Sequence, residues 1–149
     1  MTDKPPLPPS YLLLASVAML SLHLLLPLGQ LVGMPWRLLG IIPLLLGIVL
    51  NLRADNALKQ RHTTVKPFEV SAVLVTDGVY RISRHPMYLG MALILLGLAF
   101  FMGSLSPFVG VPAFIVLMEW RFIREEEAML AQQFGEEWLR YKGITHRWF

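Results

Sequence analysis

Four long apolar runs, each almost free of charge, constrain this chain more than any other feature of its sequence. They cover about residues 11–28, 36–52, 87–102 and 108–123. At about 1.5 Å per residue, a helix built from such a run approaches the ~30 Å hydrocarbon thickness of a bilayer. Because lipid cannot satisfy backbone polar groups, a run of this kind predicts a membrane-spanning helix. We therefore predict an all-α, multi-pass transmembrane bundle with four spans.

Composition supports this prediction and excludes several other classes of protein. Charged residues make up 15% of the chain and hydrophobic residues 55%, whereas a soluble domain is about 25% charged. The 149 residues predict a single domain, 1–149. The net charge of +3, without a basic run among aromatic residues, does not indicate nucleic-acid binding. Cysteine is absent, which excludes thiolate sites and disulfides, and no other motif predicts a metal site.

The segment before the first run contains four prolines within residues 1–9. Proline disfavours a helix interior, so we expect an extended lead-in there. The first run is not followed by a convincing signal-peptide cleavage site, and we expect it to be retained as a span.

The distribution of lysine and arginine predicts the orientation of the bundle. The breaks at 29–35 and 103–107 contain neither residue, whereas the connection 51–84 and the segment after 124 contain nearly all of them. Positive charge collects on the cytoplasmic side. We therefore expect the N-terminus, this connection and the C-terminus to be cytoplasmic, in the inner membrane if the source is prokaryotic.

The polar segment at about 124–142 carries one apolar stripe at helical spacing. Its members are Leu130, Phe134, Trp138 and Tyr141. The spacing predicts an amphipathic helix on the cytoplasmic side of the membrane.

Two clusters of polar residues could carry chemistry, and the first precedes the third run. The sequence GVYRISRHPMYLG occupies 78–90. Pro86 suits the first turn of a helix and disfavours helical backbone before it, which predicts His85 at or next to the N-cap. The free backbone amides there favour a negative ligand group. Alternatively, these residues are interfacial anchors beside a span.

The second cluster, EWRFIREEE, occupies 119–127. Glu119 and Glu126 are seven residues apart, which places them on one face of an α-helix. Arg121 and Glu125 have the spacing of an i,i+4 pair. Alternatively, this segment is a solvated helix beside the membrane.

Together, GVYRISRHPMYLG, an apolar hairpin and REEEAMLAQQFGEEWLRY resemble the isoprenylcysteine carboxyl methyltransferase and phospholipid methyltransferase group of integral membrane enzymes. The resemblance covers roughly 72–141, about half of the chain. It depends on the ordered combination of Gly-x-Tyr, Arg-His-Pro-x-Tyr-x-Gly, and a Glu-Glu pair eight residues before Phe-Gly.

The resemblance implies methyl transfer from S-adenosylmethionine and a set of residues that bind this cofactor. That set is Ala72, Val73, Leu74, Val75, Tyr80, His85, Pro86, Met87, Tyr88 and Glu126. Eukaryotic members tend to have His where this chain has Ala72, so only backbone contacts are expected at that position. The resemblance also implies a substrate-binding arginine, for which Arg121 is the nearest match and Arg124 the alternative.

The chemistry of the cofactor agrees with this assignment. Glu126 suits its ammonium group, a helix N-terminus suits its carboxylate, and the rings of Tyr80 and Tyr88 suit its sulfonium. Methyl transfer depends mainly on positioning. A carboxylate acceptor needs only a nearby cation such as Arg121, whereas an amine acceptor must first be deprotonated. The cofactor would enter from the cytoplasm and the lipid or prenylated substrate from the bilayer.

The resemblance most favours carboxyl O-methylation of an isoprenylcysteine, with N-methylation of an ethanolamine-type phospholipid as the alternative. A sterol-reductase-like enzyme using NADPH is a further alternative, but its usual His-Pro-Asn-Tyr-x-Gly-Glu segment differs here at Met87 and Met91. A non-enzymatic membrane protein with cationic anchors is the last. The sequence does not predict an oligomeric state.

Overall fold

The computed structural model describes residues 6–63 and 71–149. Its elements are α1 (Pro8–Leu25), a 3-10 turn (Trp36–Gly40) leading into α2 (Ile41–Gln60), a second 3-10 turn (Gly78–Arg81), α3 (Pro86–Met102), α4 (Leu105–Met118), a π-helical turn (Glu119–Ile123) and α5 (Arg124–Ile144). The described ranges contain no β-strand, in agreement with the predicted all-α fold. Part of the predicted polar connection, 64–70, lies outside them, as do residues 1–5 of the lead-in.

Within the described residues, three helical stretches are long and apolar enough to cross a membrane. They are Pro8–Leu25, Trp36–Gln60 and Leu105–Ile144, and Pro86–Met102 is a shorter apolar helix. The outer faces of the first two stretches expose large apolar side chains, among them Leu13 at 67% and Leu46 at 57%. Faces this apolar are suited to lipid rather than water. The protein is an integral membrane protein.

Prolines shift three helix boundaries from their predicted positions. Pro8 and Pro9 lie in the first turn of α1 rather than in an extended lead-in. A proline is tolerated there because backbone amides in the first turn have no carbonyl partner within the helix, so the missing N–H costs no hydrogen bond. The same helix ends at Leu25 because Leu26, which precedes Pro27, is not helical. In α4, Pro107 likewise lies in the first turn, so this helix begins at Leu105 instead of 108.

The helix α2 packs along α3 at two pairs of glycines. A methyl group added at Gly97 would lie 2.7 Å from the carbonyl oxygen of Gly40. One added at Gly47 would lie 2.9 Å from the amide nitrogen of Ile94 and closer still to the carbonyl oxygen of Gly90. The two backbones are therefore in direct contact, which small residues allow between membrane helices.

The helices α1, α3 and α4 enclose the larger core. Met19, Leu95, Phe114, Met118 and Phe122 are almost completely buried there. This core reaches the π-helical turn through Phe122, and it fixes the position of the chain where α4 leads into α5.

One end of the bundle is closed mainly by backbone hydrogen bonds, with Arg37 Nε donating to the carbonyl oxygen of Val32 at 3.0 Å, and we call residues 26–35 and 103–106 the loop end. The amides of Leu31 and Val32 donate to the carbonyl oxygen of Gly103 at 2.8 and 2.9 Å. Gly103 has a φ of 76°, which a glycine adopts without strain. Nearby, His23 Nδ1 lies 2.7 Å from Ser104 Oγ. These contacts connect the turn after α1 to the turn between α3 and α4.

The opposite end contains a smaller core that joins α2 to α5. It includes Ala54, Leu74, Tyr80, Trp138 and Tyr141, all buried. The Tyr141 hydroxyl donates to the carbonyl oxygen of Tyr80 at 2.6 Å. This contact holds the second half of α5 against the 3-10 turn that precedes α3.

Candidate functional site

A cavity of about 380 Å³ opens at the N-terminal end of α3, within the size range of small-ligand sites. Residues from the start of α1, from α2, from 71–75, from the start of α3 and from α5 form its wall. The predicted site residues on this wall are Val73, Leu74, Val75, Tyr80, His85, Pro86, Met87, Tyr88 and Glu126. The structure thus brings together segments about 40 residues apart in the sequence.

Two predicted site residues do not line the cavity. The amide of Ala72 donates to Thr63 Oγ1 at 2.9 Å, beside the wall. The guanidinium carbon of Arg121 lies 5.5 Å from the ring centre of Phe122, in the π-helical turn. Because i,i+5 bonding widens a helix there, spacing on a straight α-helix does not locate Arg121 relative to Glu126. Ligand contacts of Ala72 and Arg121 stay predictions.

The start of α3 has the predicted geometry. His85 is its N-cap, with a φ of −126° and a ψ of 61°, and Pro86 is its first residue. The His85 amide donates to Ser83 Oγ at 3.1 Å. The imidazole ring is buried and is thereby held at the mouth of the cavity.

His85 lies between two adjacent carboxylates of α5. Its Nδ1 is 3.5 Å from Glu126 Oε2, and its Nε2 is 3.3 Å from Glu127 Oε1. Burial by itself would lower the pKa of His85, but hydrogen bonds to Glu126 and Glu127, together with their negative charge, raise that pKa above its ordinary value. The ring is therefore suited to the imidazolium form, which can donate to both carboxylates at once.

Glu126 is the carboxylate on the cavity wall. The Tyr88 hydroxyl donates to Glu126 Oε1 at 2.6 Å, while the other oxygen faces His85. Tyr80 lines the cavity nearby, and burial raises the pKa of its hydroxyl. Two neutral phenols and one carboxylate thus provide aromatic faces and a negative charge in the same space.

Glu127 points away from the cavity, into a buried ionic cluster. Its Oε1 lies 3.0 Å from Arg84 Nη2 and accepts from Arg147 Nε at 3.0 Å. Arg147 also pairs with Glu119. We call Arg84, His85, Glu119, Glu126, Glu127 and Arg147 the charged mouth.

Sequence reasoning placed neither Glu127 nor Arg147 in the site. A run of three glutamates is typical of a solvated helix face, and Arg147 lies 20 residues beyond Glu127. The structure separates the three: Glu125 is exposed, Glu126 lines the cavity and Glu127 is buried.

The wall also includes residues that sequence analysis did not assign to the site. They are Leu7, Pro8, Pro9, Asp55, Leu58, Ser71, Arg84, Met91, Met129, Leu130, Gln133, Trp138 and Tyr141. Three of them, Leu130, Trp138 and Tyr141, belong to the apolar stripe of α5, so the stripe was a usable signal for this wall. Asp55 carried no comparable signal, because its spacing to Lys59 suggests a surface ion pair, which it forms.

Comparison of the sequence with known proteins agrees with the resemblance predicted from the two motifs. Residues 36–137 match the model of a family described as Phospholipid methyltransferase. Human protein-S-isoprenylcysteine O-methyltransferase is 42% identical over 73 residues, which are 46% of this chain and 24% of the human protein. The enzyme of the same name from Schizosaccharomyces pombe is 36% identical over 74 residues, 47% of this chain and 30% of that protein.

Two further similarities concern a short protein and a solved structure. An uncharacterized protein of Haemophilus influenzae is 39% identical over 62 residues, which are 42% of this chain and 98% of that protein. The structure of a eukaryotic intramembrane Ras methyltransferase, isoprenylcysteine carboxyl methyltransferase, matches with a TM-score of 0.72 and 25% identity. That match covers 95% of this chain and 52% of the other. This chain therefore spans about half of that protein and about a quarter of the human one.

Proposed function

The chain belongs to the phospholipid methyltransferase family, and from this we propose that it transfers a methyl group from S-adenosylmethionine to a lipophilic acceptor in the membrane. The resemblance predicted from the two sequence motifs is thereby confirmed at the level of the family. The activity, the cofactor and the acceptor of this chain belong to the proposal.

The observation that carries the proposal is the meeting of Glu126 with His85 and Tyr88 on one cavity wall. These residues come from the two motifs that specify the resemblance, and about 40 residues separate them in the sequence. A carboxylate held by a phenol and an imidazole at a cavity wall is suited to a cationic ligand group.

The wall residues fit S-adenosylmethionine, which when bound supplies a methyl group on an electrophilic sulfonium. Glu126 would bind the ammonium group, and the N-terminus of α3 would favour the carboxylate. Tyr80, Tyr88 and Trp138 would present aromatic faces to positive charge. Val73, Leu74, Val75, Pro86 and Met87 would form the apolar wall that excludes water.

We propose that this single domain, 1–149, crosses the membrane four times, with α3 as the shorter crossing. At about 1.5 Å per residue, its 17 residues extend about 25 Å, slightly less than the hydrocarbon core. Arg84, Arg124 and Arg147 lie at the same end of the bundle, which supports a cytoplasmic position for α5 and both termini. In a prokaryote this membrane is the inner one.

For the acceptor, we propose a reaction most like carboxyl O-methylation of an isoprenylcysteine. The named relatives and the similar solved structure support this choice. A carboxylate acceptor is already nucleophilic and needs a cation to hold it in line with the methyl group. Arg121 is our proposed cation, with Arg124 as the alternative, and the substrate would reach it from the bilayer.

A second candidate, N-methylation of an ethanolamine-type phospholipid, is favoured by one observation. Asp55 adds a second carboxylate to the cavity wall, in addition to Glu126. A carboxylate there could hold an ammonium acceptor and take up its proton before transfer. The description of the matched family points in the same direction.

Calorimetry on the purified protein in detergent tests the cofactor. We expect S-adenosylhomocysteine, the demethylated product, to bind and NADPH to give no heat. Binding of NADPH alone would overturn the proposal in favour of a reductase.

Labelling tests the acceptor. Membranes containing the protein are incubated with methyl-labelled S-adenosylmethionine, and the lipid-soluble product is treated with base. We expect release of the label, because a methyl ester is base-labile. A stable label would instead assign the product to an amine or a thioether.

A further inference from the structure

Segment 145–148 lies across the charged mouth and contacts it at every residue. The carbonyl oxygens of Thr145 and His146 accept from Arg84 Nη1 at 2.7 Å and from the Arg84 amide at 3.0 Å. The carbonyl oxygen of Arg147 accepts from Ser83 Oγ at 2.9 Å. Trp148 Nε1 donates to Glu119 Oε2 at 3.4 Å. We call this segment the clasp.

The side chain of Arg147 connects Glu119 in the π-helical turn to Glu127 in α5, the residue next to Glu126. Its guanidinium donates to both oxygens of Glu127, with Nε 3.0 Å from Oε1, and to Glu119 eight residues earlier. An arginine fork that binds a carboxylate through two nitrogens fixes its orientation as well as its position. Glu127 is therefore held from the side opposite to the cavity.

From Arg147, a continuous chain of contacts leads to the cavity. Glu127 Oε1 faces His85 Nε2, and His85 Nδ1 faces Glu126 on the cavity wall. Successive residues in this chain are in contact, and the clasp lies beyond residue 137, where the match to the family model ends.

We infer that Arg147 is a positioning residue: by holding Glu127, it fixes the ring of His85 between two carboxylates and keeps Glu126 directed into the cavity. This inference rests on the proposed function, because it concerns the side chains assigned to the cofactor. Arg147 itself does not line the cavity, so it acts on the ligand only through Glu127 and His85.

The charge of Arg147 distinguishes a positioning role from a purely structural one, because its loss should change the titration of His85. The charged and titratable groups facing His85 are Arg84, Tyr88, Glu126 and Glu127, and Arg147 lies directly behind Glu127. If Arg147 loses its charge, Glu127 becomes a less neutralised partner of the imidazolium. The midpoint of the His85 titration then moves to higher pH, and the ring is drawn towards Glu127 and away from Glu126.

The test uses the full chain in detergent with labelled histidine side chains, whose titration is followed by NMR. The His85 signal is identified by its loss in His85→Gln. The variants are Arg147→Gln, which removes the charge, Arg147→Lys, which keeps the charge but not the fork, and Arg140→Gln, which removes an exposed charge from α5. Affinity for S-adenosylhomocysteine is measured on the same samples.

In Arg147→Gln we expect a higher His85 midpoint and about tenfold weaker S-adenosylhomocysteine binding, because Glu126 is no longer held towards the cavity and a coupling of this size is ordinary between neighbouring groups. In Arg147→Lys we expect a midpoint near that of the unmodified protein, with affinity between the two. Arg140→Gln should change neither. An unchanged midpoint in Arg147→Gln would overturn the inference. If that variant does not fold, unchanged affinity in Arg147→Lys overturns it instead. If the unmodified protein binds no S-adenosylhomocysteine, the proposed function fails, and the His85 midpoint still tests the contacts of the clasp.

Discussion

The two ends of this bundle are held together by different kinds of contact. At the loop end, turns are joined mainly by hydrogen bonds of backbone groups, such as those from Leu31 and Val32 to Gly103, with Arg37 also donating to the carbonyl oxygen of Val32. At the charged mouth, carboxylates and arginines hold one another's side chains, and Arg84 also donates to backbone carbonyls of the clasp. The loop end fixes the path of the chain, whereas the charged mouth fixes the orientation of groups that face a ligand.

The largest loss of stability is expected from a substitution that disrupts the charged mouth. Glu127→Ala leaves the buried Arg84 without its carboxylate and the partly exposed Arg147 with Glu119 alone, which costs at most about 3–5 kcal/mol of stability. Thermal unfolding in detergent measures this cost. The exposed Glu137→Ala is the matched control and should unfold near the temperature of the unmodified protein. Equal unfolding of the two variants would show that the cluster does not stabilise the fold.

The second-largest effect is expected on ligand affinity rather than on stability. Glu126→Gln keeps a group that can accept from Tyr88 but removes the negative charge from the cavity wall. Loss of a charged hydrogen bond is worth about 1.5–3 kcal/mol, so affinity for S-adenosylhomocysteine should fall by roughly 10- to 150-fold. Calorimetry measures this change, and the exposed Glu125→Gln should leave affinity unchanged. A similar loss in both variants would contradict the assignment of Glu126.

The pH dependence of stability tests whether His85 contributes to the charged mouth as an imidazolium. The pKa of His85 is raised in the folded protein, so its protonation stabilises the fold fully below the unfolded value of 6.5. This stabilisation is lost as the pH rises through the raised folded pKa, at a slope of at most about 1.4 kcal/mol per pH unit. Chemical denaturation across this window should show the loss. It should disappear in His85→Gln and persist in the exposed His62→Gln; a slope that survives in His85→Gln assigns it to another group.

The smallest effect concerns the loop end. Ser104→Ala removes the partner of His23, and a hydrogen bond of this kind contributes about 1 kcal/mol. Thermal unfolding should register this small loss while calorimetry shows unchanged affinity for S-adenosylhomocysteine. Ser21→Ala, whose hydroxyl bonds within its own helix, is the control. Weakened binding in Ser104→Ala would mean that the two ends are coupled.

Sequence reasoning succeeded where one local property decides the outcome. Apolar runs predicted the helices, and Pro86 predicted that His85 would be an N-cap. The resemblance located nine of the 22 residues on the cavity wall, because its motifs correspond to two of the segments that meet there.

It failed where the outcome depends on distant partners. Nothing in the sequence distinguishes Glu127 from Glu125, since only the folded positions of Arg84 and Arg147 make one buried and the other exposed. The π-helical turn at Glu119–Ile123 likewise has no periodic signature, so the position of Arg121 could not be read from helical spacing.

The paired glycines between α2 and α3 have a mechanical consequence. At Gly40, Gly47, Gly90 and Gly97 the backbone of one helix packs directly against the backbone and the side chains of the other, so neither helix can slide past the other without a collision. We therefore expect the two helices to move together and to carry the α2 and α3 walls of the cavity as one unit. Any change in cavity volume as a ligand enters is then expected from the other parts of the wall, which are α1, residues 71–84 and α5.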